Sequence, residues 1–168
     1  LDGKVVEVGP TPIKALGTTD QHSQVQLYME GLRNKVVTFL VPETFGTDLK
    51  IPEFSGAPEL SYLAGRSMGE LIASEQQATA VALTKNGRPN CTISIPEVSA
   101  ATVGALIYLF EVQTLFAGGL FHINPLDQPG VEEGKEFTYA LMGRPGFEKK
   151  MNEFDRWFGD IPRRHLEA

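Results

Sequence analysis

The sequence predicts an α/β protein, layers of helix packed on a mainly parallel sheet, and three observations predict it. The run 36–41, VVTFLV, is β-branched and is stopped by Pro42. Two long stretches, 58–85 and 99–117, carry apolar residues at helical spacing or on every helical face. Strand-like and helix-like segments alternate along the chain, which is the pattern of parallel sheets with crossover helices.

The elements follow in order. Residues 5–8 and 13–16 are short apolar runs bounded by Gly9-Pro10 and Gly17, and both are candidate strands. A helix is expected over 20–30, closed by Gly31 as the glycine after its end. After strand 36–41, the stretch 43–57 holds Gly46, Pro52 and Gly56 and reads as a loop. From Pro58, Leu60, Leu63, Ala64, Met68, Leu71 and Ile72 recur at helical spacing, and the helix runs to about Lys85, where Asn86-Gly87 ends it. Residues 92–95 form a short strand ended by Pro96. The next helix, from Ser99 to about Ala117, is apolar nearly all round, so it needs cover on every side from its own sheet and helices or from a second subunit. A helix then begins in DQPGVEEGK (127–135), a break follows at 143–146, and an amphipathic helix spans 147–158. In such sheets, ligands bind beyond the carboxyl ends of the strands, near helix starts.

At 168 residues the chain fits one domain with a single substantial core. Its 42% hydrophobic and 21% charged content is that of an ordinary soluble domain. A net charge of −6, with only the short basic runs Lys149-Lys150 and Arg163-Arg164, argues against nucleic acid as a partner. The lone Cys91 excludes an intrachain disulfide and fits a reducing cytoplasm. The apolar stretch 100–120 is interrupted by Glu111 and Gln113 and suits a core helix better than a membrane span. The start at Leu1, without a signal peptide and directly before strand-like residues, is expected of a domain cut from a longer protein.

Three residues are candidates for chemistry. His22, in GTTDQH, falls in the first turn of the helix expected after Thr19 or Asp20, where the positive end of the dipole opposes protonation. A neutral imidazole there takes a proton from a hydroxyl and returns it; a capping or core-edge histidine is the competing reading. Lys135 falls on the wheel between Val131 and Tyr139, away from Glu132, Glu133 and Glu136. It is either a snorkelling lysine on an apolar border or a cation aimed into a cleft, where it holds an anion or donates to a sugar oxygen. Gln128 follows Asp127, the expected N-cap, and its amide is able to bind hydroxyls, though turn chemistry explains it equally.

The remaining candidates are weaker. His122 and His165 have no nearby metal partners in sequence, and three scattered histidines with one cysteine make no zinc pattern. Glu111 reads as a buried, hydrogen-bonded acid or an interface residue, and Cys91 as a buried small hydrophobe. No phosphate loop, GxSxG or GxGxxG is present.

Taken together, four segments resemble the C-terminal half of the phosphoglucose isomerase family. They are GTTDQHSQVQLYMEG (17–31), NGRPNCTISIPEV (86–98), LFEVQTLFAGGLFHIN (109–124) and LDQPGVEEGK (126–135), in the family's order and spacing. The last departs from the family signature only at Leu126, where an aromatic is usual. The resemblance implies a three-layer α/β/α sandwich of SIS type, Rossmann-like, that binds phosphosugars. It covers 1–168 as the C-terminal SIS domain, with 143–168 a helical extension and the N-terminal SIS domain outside the chain.

It also implies isomerisation of glucose 6-phosphate and fructose 6-phosphate, a cytoplasmic step shared by glycolysis and gluconeogenesis. His22 and Lys135 become the catalytic residues of ring opening and Gln128 the sugar-binding glutamine. A homodimer is implied, with His22 contributed across the interface, and no cofactor, metal, nucleic acid or membrane is required. The family's general-base glutamate lies upstream of the QH pair, whereas the acids available here are Asp2, Glu7 and Asp20, none in that context. The expectation is therefore an isomerase fragment holding part of the active site and inactive alone. The alternatives are a non-catalytic SIS module that senses a phosphosugar, or the tail of a transaldolase fusion.

Overall fold

The computed structural model describes residues 3 and 5–160. Asp2, Arg163-Arg164, His165 and the end of the expected extension lie outside the described residues. The chain divides into two compact units, Gly9–Glu111 and a second made of Leu1–Val8 with Val112–Ala168.

In the first unit the helical elements α1 (Thr19–Ser23) and α2 (Val25–Glu30) precede strand β1 (Val37–Pro42), a 3-10 turn (Pro58–Leu63), helix α3 (Met68–Lys85) and strand β2 (Asn90–Ile95). β1 and β2 pair in parallel, from Val37 opposite Asn90 to Pro42 opposite Ile95. This is the expected class, helices with a parallel sheet, and α3 is the crossover between its strands. The apolar centre of the unit is Ile51, Leu83 and Ile95.

Several sequence expectations are corrected here. Residues 5–8 and 13–16 pair with no strand and run as irregular chain. The helix expected over 20–30 is broken at Gln24 (φ −125°, ψ −28°) into α1 and α2. Gly31 does end α2, but with extended backbone (φ −76°, ψ −168°); a Cβ there would lie 2.4 Å from the Leu27 carbonyl oxygen. Close approach, not a left-handed turn, demands the glycine.

The helix expected from Pro58 is likewise two elements. Gly65 takes φ +76°, and Lys50 and Ser67 form an antiparallel bridge, which draws the chain out between the 3-10 turn and α3. Ser67 then starts α3 with a capping box: the Glu70 amide donates to Ser67 Oγ at 3.0 Å and the Ser67 amide to Glu70 Oε2 at 3.3 Å. The Gly69 amide donates to Asp48 Oδ1 at 2.9 Å. The signal S-x-x-E was in the sequence, and apolar periodicity hid it.

Cys91 is exposed, not buried, because it shares with Thr38 a face of the sheet that the described residues leave open; its Sγ lies 3.4 Å from Thr38 Oγ1. Helix α4 (Ala100–Phe121) crosses from one unit to the other in sequence. Only Gly118 of α4 is buried, so the cover its apolar surface calls for does not come from the described residues. Glu111 is exposed, which removes its reading as a buried acid. By length and composition alone, α4 is the one helix among the described residues able to cross a membrane.

The second unit continues with α5 (Pro129–Leu141) and α6 (Glu148–Asp160), joined through Gly143 (φ +71°) and Gly146 (φ +91°). Phe137 meets Phe154 edge-on at 5.8 Å, and Tyr139 meets Phe147 at 5.3 Å. Lys150 bridges Glu136 at 3.3 Å and Glu153 at 3.1 Å. Ala140 is the buried apolar residue of α5.

Candidate functional site

The three predicted site residues fall in different units. His22 belongs to the first; Gln128 and Lys135 share the start and body of α5 in the second.

The GTTDQH loop reaches His22 through a tight bend. Thr18 has φ +63° and ψ −60°, and the Thr19 amide donates to the Gly17 carbonyl at 3.0 Å. That is the φ-positive γ-turn, rare and strained, and costlier still for a β-branched residue. Asp20 locks it from behind: its carboxylate accepts from the Leu16 amide at 2.5 Å and from Ser23 Oγ at 2.9 Å. The Leu16 amide and then the Ser23 hydroxyl hold the Asp20 carboxyl below the usual aspartate range. Gln21 extends to α3, donating to Thr79 Oγ1 at 3.0 Å. His22, exposed, is the fourth residue of a five-residue helix. One turn of helix has little dipole, so the helix-start field expected at His22 is small.

In the second unit the approach to Gln128 depends on Gly118. A Cβ at Gly118 would sit 2.6 Å from Pro125 Cγ, so glycine lets the loop 123–128 fold flat on the end of α4. His122 (φ +57°) turns the chain there, and the Ile123 amide closes on the Gly118 carbonyl at 3.0 Å. The Leu126 amide donates to Asn124 Oδ1 at 3.0 Å. The Gln128 amide donates to Asp127 Oδ1 at 2.9 Å. Gln128, not Asp127, then occupies the N-cap position of α5, with Pro129 in the first turn; its exposed side chain caps nothing.

Lys135 is exposed, and its Nζ donates to Glu132 Oε1 at 2.6 Å. Sequence placed Lys135 away from Glu132. Residues three apart are only about 60° apart on a helix, and a lysine stem spans that. The Glu132 carboxylate raises the Lys135 pKa above the usual lysine value. Glu132 is thus the site residue that sequence reasoning missed, although the E-x-x-K spacing advertised it. Gln128 and Lys135 therefore offer an amide and a carboxylate-paired ammonium on one helix, groups suited to hydroxyls and anions.

The first unit also holds a cavity of about 520 Å³. Its wall includes Leu16, Val37, Phe39, Ile72 and Leu83, too apolar for a charged sugar, and His22 is not among its lining residues. Among the described residues no cluster of His, Cys, Asp and Glu is able to hold a metal ion.

Comparison with known proteins adds the following. A family model described as phosphoglucose isomerase matches residues 2–158. The chain is 52% identical over 152 residues to glucose-6-phosphate isomerase of Carboxydothermus hydrogenoformans, covering 90% of this chain and 33% of that protein. It is 50% identical over 147 residues to the Rubrobacter xylanophilus enzyme, covering 87% and 33%. The crystal structure of a hypothetical protein from Thermus thermophilus superposes with a TM-score of 0.76 at 41% identity, over 80% of this chain and 32% of that one. The chain spans about a third of the length of the curated relatives it matches.

Proposed function

This chain belongs to the phosphoglucose isomerase family, and from that premise we propose that it supplies the C-terminal, SIS-type part of a glucose-6-phosphate isomerase. The single observation that carries the site reading is the geometry of DQPGVEEGK. One helix start presents the Gln128 amide, and further along the same helix the Lys135 ammonium is held by Glu132.

In this reading Gln128 binds sugar hydroxyls. His22 and Lys135 move protons between the ring oxygen and the C1 hydroxyl and so open the pyranose. A carboxylate from outside this chain shifts the proton between C2 and C1 through a cis-enediol, and Lys135 stabilises the developing negative charge. The absence of a suitable acid among Asp2, Glu7 and Asp20 supports an external base. The uncovered apolar surface of α4 supports a partner that covers it; in this reading the partner is a second copy of the protein, and His22 is contributed across that interface. The protein works in the cytoplasm and needs no cofactor.

The test compares isomerisation of glucose 6-phosphate by this 168-residue chain and by the full-length protein carrying it. The expected result is turnover in the full-length protein only, lost by about 100-fold or more in His22→Ala and Lys135→Ala with the fold intact. Substantial turnover by the chain alone overturns the external base. Unchanged turnover in Lys135→Ala overturns the site, and retained sugar-phosphate binding in that case would favour a non-catalytic sensing module.

A further inference from the structure

We infer that Arg88 is a positioning residue for His22, acting through the end of α2; this rests on His22 being the ring-opening acid and base proposed above. The residues of NGRPN (86–90) meet three elements at once. Asn86 ends α3, its Nδ2 donating to the Ala82 carbonyl at 2.8 Å. Gly87 turns with φ +64°, and the Arg88 amide closes on the Leu83 carbonyl at 2.9 Å. The Pro89 carbonyl accepts from the Val37 amide at 3.0 Å, which starts the parallel sheet. Asn90 Nδ2 ties β2 back to Thr84 Oγ1 at 3.0 Å.

The Arg88 side chain does something none of these backbone contacts requires. Its guanidinium reaches across 59 residues of sequence to the carbonyls that end α2. Nε donates to Met29 O at 2.8 Å, Nη2 donates to the same oxygen, and Nη2 donates to Gly31 O at 3.0 Å. The last carbonyls of a helix lack intrahelical donors, and the Arg88 guanidinium supplies them. A planar fork meets two carbonyls with its donors already in place, whereas an ammonium on a flexible stem loses more freedom for each bond it forms.

The consequence falls on His22. α1 and α2 are too short to stand alone, at five and six residues, so tertiary contacts decide where they lie. Two side-chain anchors bracket His22. Gln21 grips Thr79 on α3 immediately before it, and Arg88 grips Met29 and Gly31 after it. Between the anchors, Gln24 ties the two helices together, its amide donating to the Asp20 carbonyl at 2.8 Å and its carbonyl accepting from the Tyr28 amide at 3.1 Å, so a shift of α2 is passed on to His22. A displacement of the order of 1 Å at a catalytic group costs roughly 100-fold in rate.

The experiment uses Arg88→Lys and Arg88→Ala in the full-length protein, with amide hydrogen exchange, melting and steady-state kinetics. In Arg88→Lys, exchange over α2 is expected to rise about 10-fold or more while β1 and β2 stay protected. Its kcat is expected to fall about 10- to 100-fold with KM within about twofold. Unchanged exchange over α2 overturns the clamp. Faster exchange with full kcat overturns the positioning role, and so does a loss of kcat that only tracks a loss of folded protein. The lysine variant keeps charge and stem, so it decides the question even where Arg88→Ala fails to fold. Full turnover in His22→Ala is a separate failure: it removes the functional reading, and the inference with it, whereas exchange still reports on the clamp.

Discussion

Lys135 Nζ lies 2.6 Å from Glu132 Oε1, one turn apart on α5, so the candidate catalytic cation is held by its own helix. Both side chains are more than half exposed, and the pair orients the ammonium far more than it stabilises the fold. Replacing Glu132 with Gln removes the carboxylate that raises the Lys135 pKa. A ¹³Cε titration of Lys135 is therefore expected to show a lower midpoint in Glu132→Gln. The sign for stability follows: the pair's contribution is present below the ordinary lysine value of 10.5 and is lost as pH rises through the raised folded value. An unmoved midpoint would remove Glu132 from the site.

Thr18→Gly tests the strained bend before α1. A β-branched residue held at φ +63° costs about 1–3 kcal/mol. Glycine adds an entropic cost of about 0.5–1 kcal/mol. The expected net is a stabilisation of about 1 kcal/mol, seen as a higher urea midpoint at constant slope. A lower midpoint would show that the Thr18 side chain contributes more than its backbone loses.

Gly118→Ala tests the packing that delivers Gln128. The added methyl would meet three Pro125 ring atoms at 2.6–2.8 Å, and the rigid ring has little room to yield. A destabilisation of about 1–3 kcal/mol is expected, with faster hydrogen exchange across 122–128. Wild-type stability in this variant would mean that the loop has a second place to lie.

Acid should weaken the first unit at two loops. Asp20 is depressed chiefly by the Leu16 amide, and Asp48 chiefly by the Ser67 hydroxyl and then the Gly69 amide. Depressed carboxyls stabilise above their ordinary value and lose that contribution as pH falls through the folded one. Urea midpoints are expected to hold down to about pH 3.8 and decline below it, less steeply in Asp48→Asn. A decline of equal steepness in that variant would exclude Asp48 as a source.

Much of this was legible in sequence, and for physical reasons. The β-branched run before Pro42 and the Asn86-Gly87 stop are local signals, and β1 and the end of α3 fall where these signals put them, whereas α3 starts only at Met68 although its periodicity ran from Pro58. Residues 5–8 and 13–16 look equally strand-like, yet a strand exists only where a neighbour supplies hydrogen bonds, and none among the described residues does. Cys91 and Glu111 went wrong for a related reason. Sequence predicts that a residue is apolar or that a helix wants cover, but it does not say which chain provides the cover.

By itself, then, the sequence determined the class, the family and the order of β1, α3, β2, α4, α5 and α6, because these rest on local propensity and on motifs in fixed order. Tertiary structure alone decided how the site residues are held. Arg88 meets the end of α2, Gln21 meets Thr79, and Pro125 lies on Gly118. The first two contacts join residues more than fifty positions apart, and the third needs a glycine whose purpose is visible only when the loop has folded back. Local spacing carries no information about such meetings, which arise when packing brings separate elements together.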